Sequence, residues 1–161
     1  MKGISDDFSE VAFDASIDRV WVRFRCELAD RLDVMGTDRP VTVYALWTEM
    51  FGPQPTIVFH HTANHRLRLT IANQDLYPYG PESEQRVGLL TGEGWRALRD
   101  DTCIREFAQR RVDDAALAAQ FALREVWGVP DPTYLVSDHA DVLRTFITPH
   151  AAARMRNSSI V

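Results

Sequence analysis

The sequence predicts an α+β domain in which helices pack on one face of an antiparallel sheet, in the order α-β-β-β-α-β-α. Three observations support this fold class. A helical apolar period follows residue 16, three strand-like runs follow between residues 41 and 72, and an alanine-rich helical segment ends at Gly128. Because the strand-like runs are joined by short connections, an antiparallel meander (β-meander) plus a further strand is the most economical topology.

The first helix is predicted over residues 17–32. Its apolar residues recur at steps of three and four, which places on one stripe Ile17, Trp21, Phe24, Leu28 and Leu32. Ser16 is the expected N-cap, and Gly36 suits the exit. Residues 1–15 are acidic, and we expect them to form an N-terminal arm or a short edge strand.

The strand-like runs cover residues 41–49, 56–62 and 65–72, and they are rich in β-branched and aromatic residues. The third run alternates cleanly, since three apolar side chains at positions 67, 69 and 71 are separated by Arg66, Arg68 and Thr70. This alternation is typical of a sheet with one covered face and one polar face.

The remaining elements follow from start and stop signals. A second helix should start near Pro81 and end at Gly92 or Gly94, a fourth strand should cover 102–107, and a last helix should open at Asp113. A short amphipathic helix around 142–147 and a loose tail from residue 149 are expected beyond them. The predicted division is therefore an arm (1–15), an α+β domain (16–136) and a C-terminal extension (137–161) that is partly helical or flexible.

The composition indicates a soluble, single-domain protein. The 161 residues are 45% hydrophobic and 25% charged. The net charge of −5 argues against a nucleic-acid surface, and no segment reaches the roughly 20 apolar residues of a membrane span. The start of the chain lacks the apolar region of a secretory signal, so we expect a cytoplasmic protein. Cys26 and Cys103 are expected to be reduced, buried thiols.

The candidate catalytic groups favour structural interpretations. His60, His61 and His65 form the one histidine cluster, but adjacent strand residues point to opposite faces, and no neighbouring carboxylate completes a metal site. The aspartate pairs at 100–101 and 113–114 suit capping or solvation. No nucleophile elbow, phosphate loop or dinucleotide fingerprint occurs in the sequence. We therefore expect neither an enzyme nor a cofactor.

The aromatic residues of the strand-like runs are the best candidates for a binding surface. If residues 43, 45 and 47 face together, Tyr44 and Trp47 lie on opposite faces, so one of them lies outside the helix-packed layer. An exposed aromatic side chain beside arginines would suit a peptide or a second subunit. The predicted partner-binding residues are Tyr44, Trp47, Phe59, Arg66 and Arg68.

Three parts of the sequence resemble one family of small bacterial domains. They are Trp21 and Phe24 in the opening helix, Leu89-Leu90 before Gly94-Trp95, and an alanine-rich helix that leads into Trp127-Gly128-Val129-Pro130. Over residues 16–135 the chain resembles the type III secretion chaperone-like and YbjN-like superfamily, called TY-Chap domains. It departs from that pattern by inserting Gly92-Glu93 and by lacking a proline shortly after Trp95. The resemblance implies an α+β domain without enzymatic activity that holds a partner polypeptide, in some cases as a homodimer.

The sequence therefore favours a non-enzymatic protein- or peptide-binding module that engages its partner through a sheet face or edge. The acidic net charge is expected to favour basic clients weakly. One alternative is a structural or regulatory homodimer that uses the same face for itself and has no client. Another is a small metal-dependent enzyme built on the histidine cluster. Neither nucleic acid nor membrane is an expected partner.

Overall fold

The computed structural model describes residues 4–46, 52–77, 81–139 and 142–146. The helices are α1 (Ile4–Asp33), α2 (Asn73–Leu76), α3 (Pro81–Gly92) and α4 (Val112–Phe121). The strands are β1 (Val41–Ala45), β2 (Thr56–His61), β3 (Arg66–Ala72), β4 (Arg96–Ala97), β5 (Thr102–Ala108), β6 (Leu135–His139) and β7 (Val142–Thr145). A π-helical turn (Ala122–Val126) follows α4, and a 3₁₀ turn (Pro132–Tyr134) precedes β6. The predicted α+β class is confirmed.

Within the described ranges, all strands belong to one antiparallel sheet of seven strands, in the order β4-β5-β3-β2-β1-β6-β7. The predicted meander forms its centre, where β1 pairs with β2 and β2 pairs with β3. The later strands extend the meander on both sides, because β5 pairs with β3 and β6 pairs with β1. The outermost strands among the described residues are β4, which has two residues, and β7, which has four.

The helices cover one face of the sheet, as the alternation in β3 predicted. On this covered face the side chains of Val43, Ile57 and Leu69 are fully buried. The apolar stripe of α1 packs into the same core, and α4 contributes its small side chains, which allow a close approach. The buried alanines of α4 and its π-helical turn are Ala115, Ala116, Ala119 and Ala122. The opposite, open face carries the even-numbered residues of β1, β2 and β3.

The first helix is longer than predicted. It begins at Ile4, so the expected arm or edge strand over residues 1–15 is wrong where the structure describes it. Ser16 is not an N-cap either, because it lies inside the helix and is 1% exposed. No glycine or proline interrupts the sequence of residues 4–33, so nothing in it breaks the helix.

The C-terminal segment forms strands where a helix was predicted. Val142–Thr145 is β7, so the expected amphipathic helix over 142–147 is wrong. The expected domain boundary at residue 136 falls inside β6, which continues the sheet beside β1. Phe146 closes this end of the core, with its ring centroid 4.8 Å from that of Phe24. The predicted tail from residue 149 lies outside the described residues.

Two buried tryptophans follow the helix ends that the sequence predicted. Trp95 comes directly after Gly94, whose φ of +95° ends the α3 turn. Trp127 precedes Gly128, whose φ is +73°, and its indole N–H donates to the Asp75 carbonyl at 2.8 Å. Both side chains are buried, so they anchor these chain reversals against the core.

Replacing Gly128 with alanine is expected to lower the free energy of unfolding by about 1–2 kcal/mol, because an L-residue is strained at positive φ. No atom lies within 4 Å of a Cβ added at Gly128, so the loss of stability comes from backbone strain and not from a steric clash. Gly88→Ala is the matched control, since it also adds a Cβ in open space but lies inside α3. Urea denaturation should show a gain of up to about 1 kcal/mol for the control. Equal effects of the two changes would contradict this prediction.

Candidate functional site

The structure divides the predicted partner-binding residues between the two faces of the sheet. Tyr44, Arg66 and Arg68 lie on the open face, where each remains at least partly exposed. Phe59 instead pairs with Val41 and Leu69 on the covered face and is 0% exposed. The prediction that Phe59 contacts a partner is therefore wrong, because its ring belongs to the core. Trp47 lies outside the described residues.

Three guanidinium groups surround a single carboxylate on the open face. Arg68, which lies opposite Glu106 in the β3–β5 ladder, donates to Glu106 Oε1 from Nη2 at 2.8 Å and from Nε at 3.2 Å. Arg66 Nε lies 3.4 Å from Glu106 Oε2, and Arg96 Nη2 lies 3.6 Å from Oε1. We call these four residues the arginine cluster. Their carboxylate is the best shielded, since the Glu106 side chain is 19% exposed and that of Arg96 is 68% exposed.

The arginine cluster carries an excess of positive charge although the whole chain carries −5. Three guanidinium groups face one carboxylate, and Arg remains protonated at any ordinary pH. His60 lies opposite Arg68 on β2. Burial lowers the pKa of His60, and the positive charge of Arg68 lowers it further, whereas Glu106 acts in the opposite direction. At neutral pH His60 is therefore uncharged, and the cluster keeps a local charge of +2.

The lowered pKa of His60 should make the protein less stable in mild acid. Its ordinary value is 6.5, so the unfolded chain takes up a proton at a pH where the folded chain does not. The free energy of unfolding is thus expected to fall as the pH drops through 6.5 towards the folded-state pKa. Urea titrations between about pH 7.5 and pH 5.5 should show a smaller fall for His60→Asn than for the unchanged protein. Parallel curves for the two proteins would contradict this prediction.

The outer edge of β5 is only partly paired. Leu98 N–H donates to the Thr102 carbonyl, and the β4 ladder reaches Ile104, which fixes the even-numbered residues of β5 as those that face outward. Within the described residues no strand pairs with this edge beyond Ile104. The outward-facing backbone groups of Glu106 and the N–H of Ala108 therefore lie at an open sheet edge. The turn before β4 is at Gly94, whose φ is +95°.

A cleft of about 670 Å³ opens beside this edge, between β5, the turn before β4, and α4. Its apolar lining comes from Trp95, Phe107, Leu117, Ala118 and Phe121. Leu117 is the most accessible of the large apolar side chains here, with 48% of its surface exposed. The charged residues of the lining are Arg66, Arg105, Arg111, Arg124, Glu93, Glu106, Asp114 and Glu125. The cleft thus has an apolar floor and a rim that carries both positively and negatively charged side chains.

Three arginines of the rim are engaged by neighbouring oxygen atoms. Arg111 Nε lies 2.6 Å from Asp114 Oδ2, and Arg124 Nη2 lies 2.6 Å from Asp18 Oδ1. Arg105 donates to the Glu93 carbonyl, which ties β5 to the turn at Gly94. These contacts hold the walls of the cleft in place and leave its floor as the main surface for a ligand.

Sequence reasoning missed the parts of this site that come from distant segments. The sequence does not separate Leu117 and Phe121, which line the cleft, from the side chains of α4 that face the core, which are Ala115, Ala116 and Ala119. Glu106 and Arg96 were not identified, although alternation within 102–108 does place Glu106 on the face opposite to Phe107. Knowing that β5 lies beside β3 would have paired Glu106 with Arg68.

The histidines and cysteines are dispersed. His60 faces the open side, His61 faces the covered side, and His65 lies in the β2–β3 turn with a φ of +59°. The described ranges contain no group of three or more His, Cys, Asp or Glu residues that could hold a metal ion. Cys26 is exposed, which corrects the expectation that it is buried, whereas Cys103 is buried and burial raises the pKa of its thiol. No helix in the described ranges has the length and apolarity that a membrane crossing requires.

One protein-family model matches the chain over residues 14–141, from the middle of α1 to just beyond β6. The family is TY-Chap3, described as "T3SS (YopN, CesT) and YbjN peptide-binding chaperone 3". The matched range includes the β5 edge, the cleft and the arginine cluster. No curated protein and no solved structure matches the chain.

Proposed function

The chain belongs to the TY-Chap3 family of peptide-binding chaperones, and we propose that it holds a segment of another polypeptide as an added strand on the outer edge of β5. The observation that carries this proposal is the open edge beyond Ile104 with an apolar cleft directly beside it. The role is one of binding, without a catalytic step.

The backbone of such a peptide would pair with the outward-facing groups of β5. Glu106 offers both its N–H and its carbonyl, and Ala108 offers its N–H. The unpaired stretch from Arg105 to Ala108 spans roughly 13 Å at about 3.3 Å per residue, so a short extended segment suffices. These hydrogen bonds would hold a peptide of any sequence, because they involve only backbone atoms.

Side chains of the peptide would supply specificity. Successive residues of a strand point to opposite faces, so one set enters the cleft and the other set lies over the open face. An apolar side chain in the cleft would meet Leu117 and Phe121, and its burial is worth about 1.5–3 kcal/mol. Arg111 and Arg124 already have carboxylate partners, Asp114 and Asp18, so a peptide that covers these arginines would not bury them unpaired.

Backbone methylation of a peptide tests the proposal. The probe is a fluorescent synthetic peptide with alternating apolar residues and glutamines, titrated with the protein and followed by anisotropy. N-methylation at the positions whose N–H faces β5 should abolish binding, whereas N-methylation at the intervening positions should preserve it, because only the first set pairs with the edge.

Equal binding of the two methylated peptides would show that the backbone does not pair with an edge and would overturn the proposal. The same edge could instead pair with a second copy of the protein. Sedimentation of the free protein at the same concentrations shows whether such a dimer forms. If a dimer forms through β5, the peptide must dissociate it, and a dimer that persists beside bound peptide would contradict the shared edge.

A further inference from the structure

We infer that the β5 site selects peptides with acidic side chains at the positions over the open face, with the arginine cluster as the selecting group. This inference rests on the proposed function and adds the chemistry of the partner to it. It runs against the expectation from net charge, which favoured basic clients.

The geometry places the cluster along the line of the added strand. The peptide would lie beside β5 in line with β4. Its side chains over the open face would therefore lie next to Arg96, which is on the same face and the same edge. Arg66 lies across β5 from them, because it pairs with Ala108, whose small side chain leaves its guanidinium within reach. The Arg66 and Arg96 side chains are 46% and 68% exposed, so both can turn towards a ligand carboxylate.

The charge balance of the cluster favours an anion. Arg68 already takes two hydrogen bonds to Glu106, which leaves Arg66 and Arg96 at longer distances of 3.4 and 3.6 Å from the same carboxylate. One carboxylate cannot neutralise three guanidinium groups, and an acidic peptide side chain would supply a second one. The neighbouring His60 adds no charge at neutral pH.

The acids elsewhere do not cancel this local field. The other charged residues of the cleft lining are three arginines and three carboxylates, namely Arg105, Arg111, Arg124, Glu93, Asp114 and Glu125. On the open face, Asp138 of β6 lies three strand positions from β3, which is roughly 14 Å at the usual strand spacing. This distance exceeds the screening length of about 8 Å at physiological ionic strength, so the nearest charges decide the preference.

Three peptides that differ only at their open-face positions test the inference. These positions carry glutamate, glutamine or lysine, and the apolar positions are shared. At moderate salt the glutamate peptide should bind about threefold more tightly than the glutamine peptide for each arginine that it contacts, and the lysine peptide should bind most weakly. Raising the salt to about 1 M should bring the three affinities together.

Variants assign the preference to the cluster. Arg96→Gln should reduce the ratio of the glutamate and glutamine affinities towards one. Arg23→Gln is the matched control, because it removes another exposed arginine from an ion pair, the one with Glu27 on α1, and it should keep that ratio. Equal affinities of all three peptides, or a ratio that survives Arg96→Gln, would overturn the acidic preference and leave the proposed function standing. Failure of every peptide to bind would overturn both.

Discussion

Replacing Trp127 with alanine is expected to lower the free energy of unfolding by about 3–5 kcal/mol. The side chain is 2% exposed and is among the largest in the core. Its removal leaves a cavity where α4 ends, and it leaves the Asp75 carbonyl without the indole N–H that now donates to it at 2.8 Å. Since small domains are stable by only about 5–15 kcal/mol, the loss should be plain in urea denaturation followed by circular dichroism.

Trp127→Phe separates the two contributions. Phenylalanine retains most of the apolar volume but cannot donate to Asp75, so its cost should be about 1–3 kcal/mol. An alanine variant that is no less stable than the phenylalanine variant would show that Trp127 does not anchor the end of α4 against the core.

Replacing Leu117 with glutamine is expected to weaken peptide binding by at least about tenfold while it changes stability little. Burial of a peptide side chain against Leu117 is worth about 1.5–3 kcal/mol, and each 1.4 kcal/mol is a factor of ten in affinity. Leu117 is 48% exposed in the free protein, so folding depends on it only weakly. The titration uses the peptide with glutamine at its open-face positions, which keeps charge out of the comparison.

Leu89→Gln is the matched control for this change. Leu89 lies on α3, is 49% exposed, and does not line the cleft, so the same substitution is made at nearly the same exposure. The control should bind the peptide as the unchanged protein does. Equal losses in the two variants would mean that a general property of the surface, and not the cleft, determines binding.

Local sequence patterns predicted those helices and strands that bury one apolar face against the core. Two patterns predicted elements correctly because their apolar residues are the ones that pack in the core. They are the helical stripe from Ile17 to Leu32, which predicted the helix, and the alternation of Leu67, Leu69 and Ile71, which predicted the covered face of the sheet. The start of α1 was missed because Ser16 has the residue type of an N-cap, whereas the neighbouring turns decide whether a helix continues.

The strands at the C-terminus depend on distant pairing. The apolar residues of 142–147 fit a short helix as well as a strand, and only the position of β6 beside β1, with Thr42 opposite Asp138, selects the strand. Short apolar runs carry too few residues to fix their own period.

The candidate site was predicted in part for the same reason. Alternation within β3 placed Arg66 and Arg68 on the open face, but the face of Phe59 follows from its register with Leu69, which the sequence does not reveal. Glu106 lies 38 residues beyond Arg68 and meets it only because β5 pairs with β3. The cleft likewise needs α4, the turn at Gly94 and β5 together, and no local pattern contains all three.

Hydrogen exchange of individual amides, measured by NMR with and without the peptide, tests most directly whether a ligand adds a strand to β5. In the free protein the Glu106 amide should exchange faster than those of Arg105 and Phe107, which face β3. Bound peptide should slow exchange at Glu106 and Ala108 and leave the β7 edge unchanged. Unchanged exchange at Glu106 in a saturated complex, or protection confined to β7, would contradict the account.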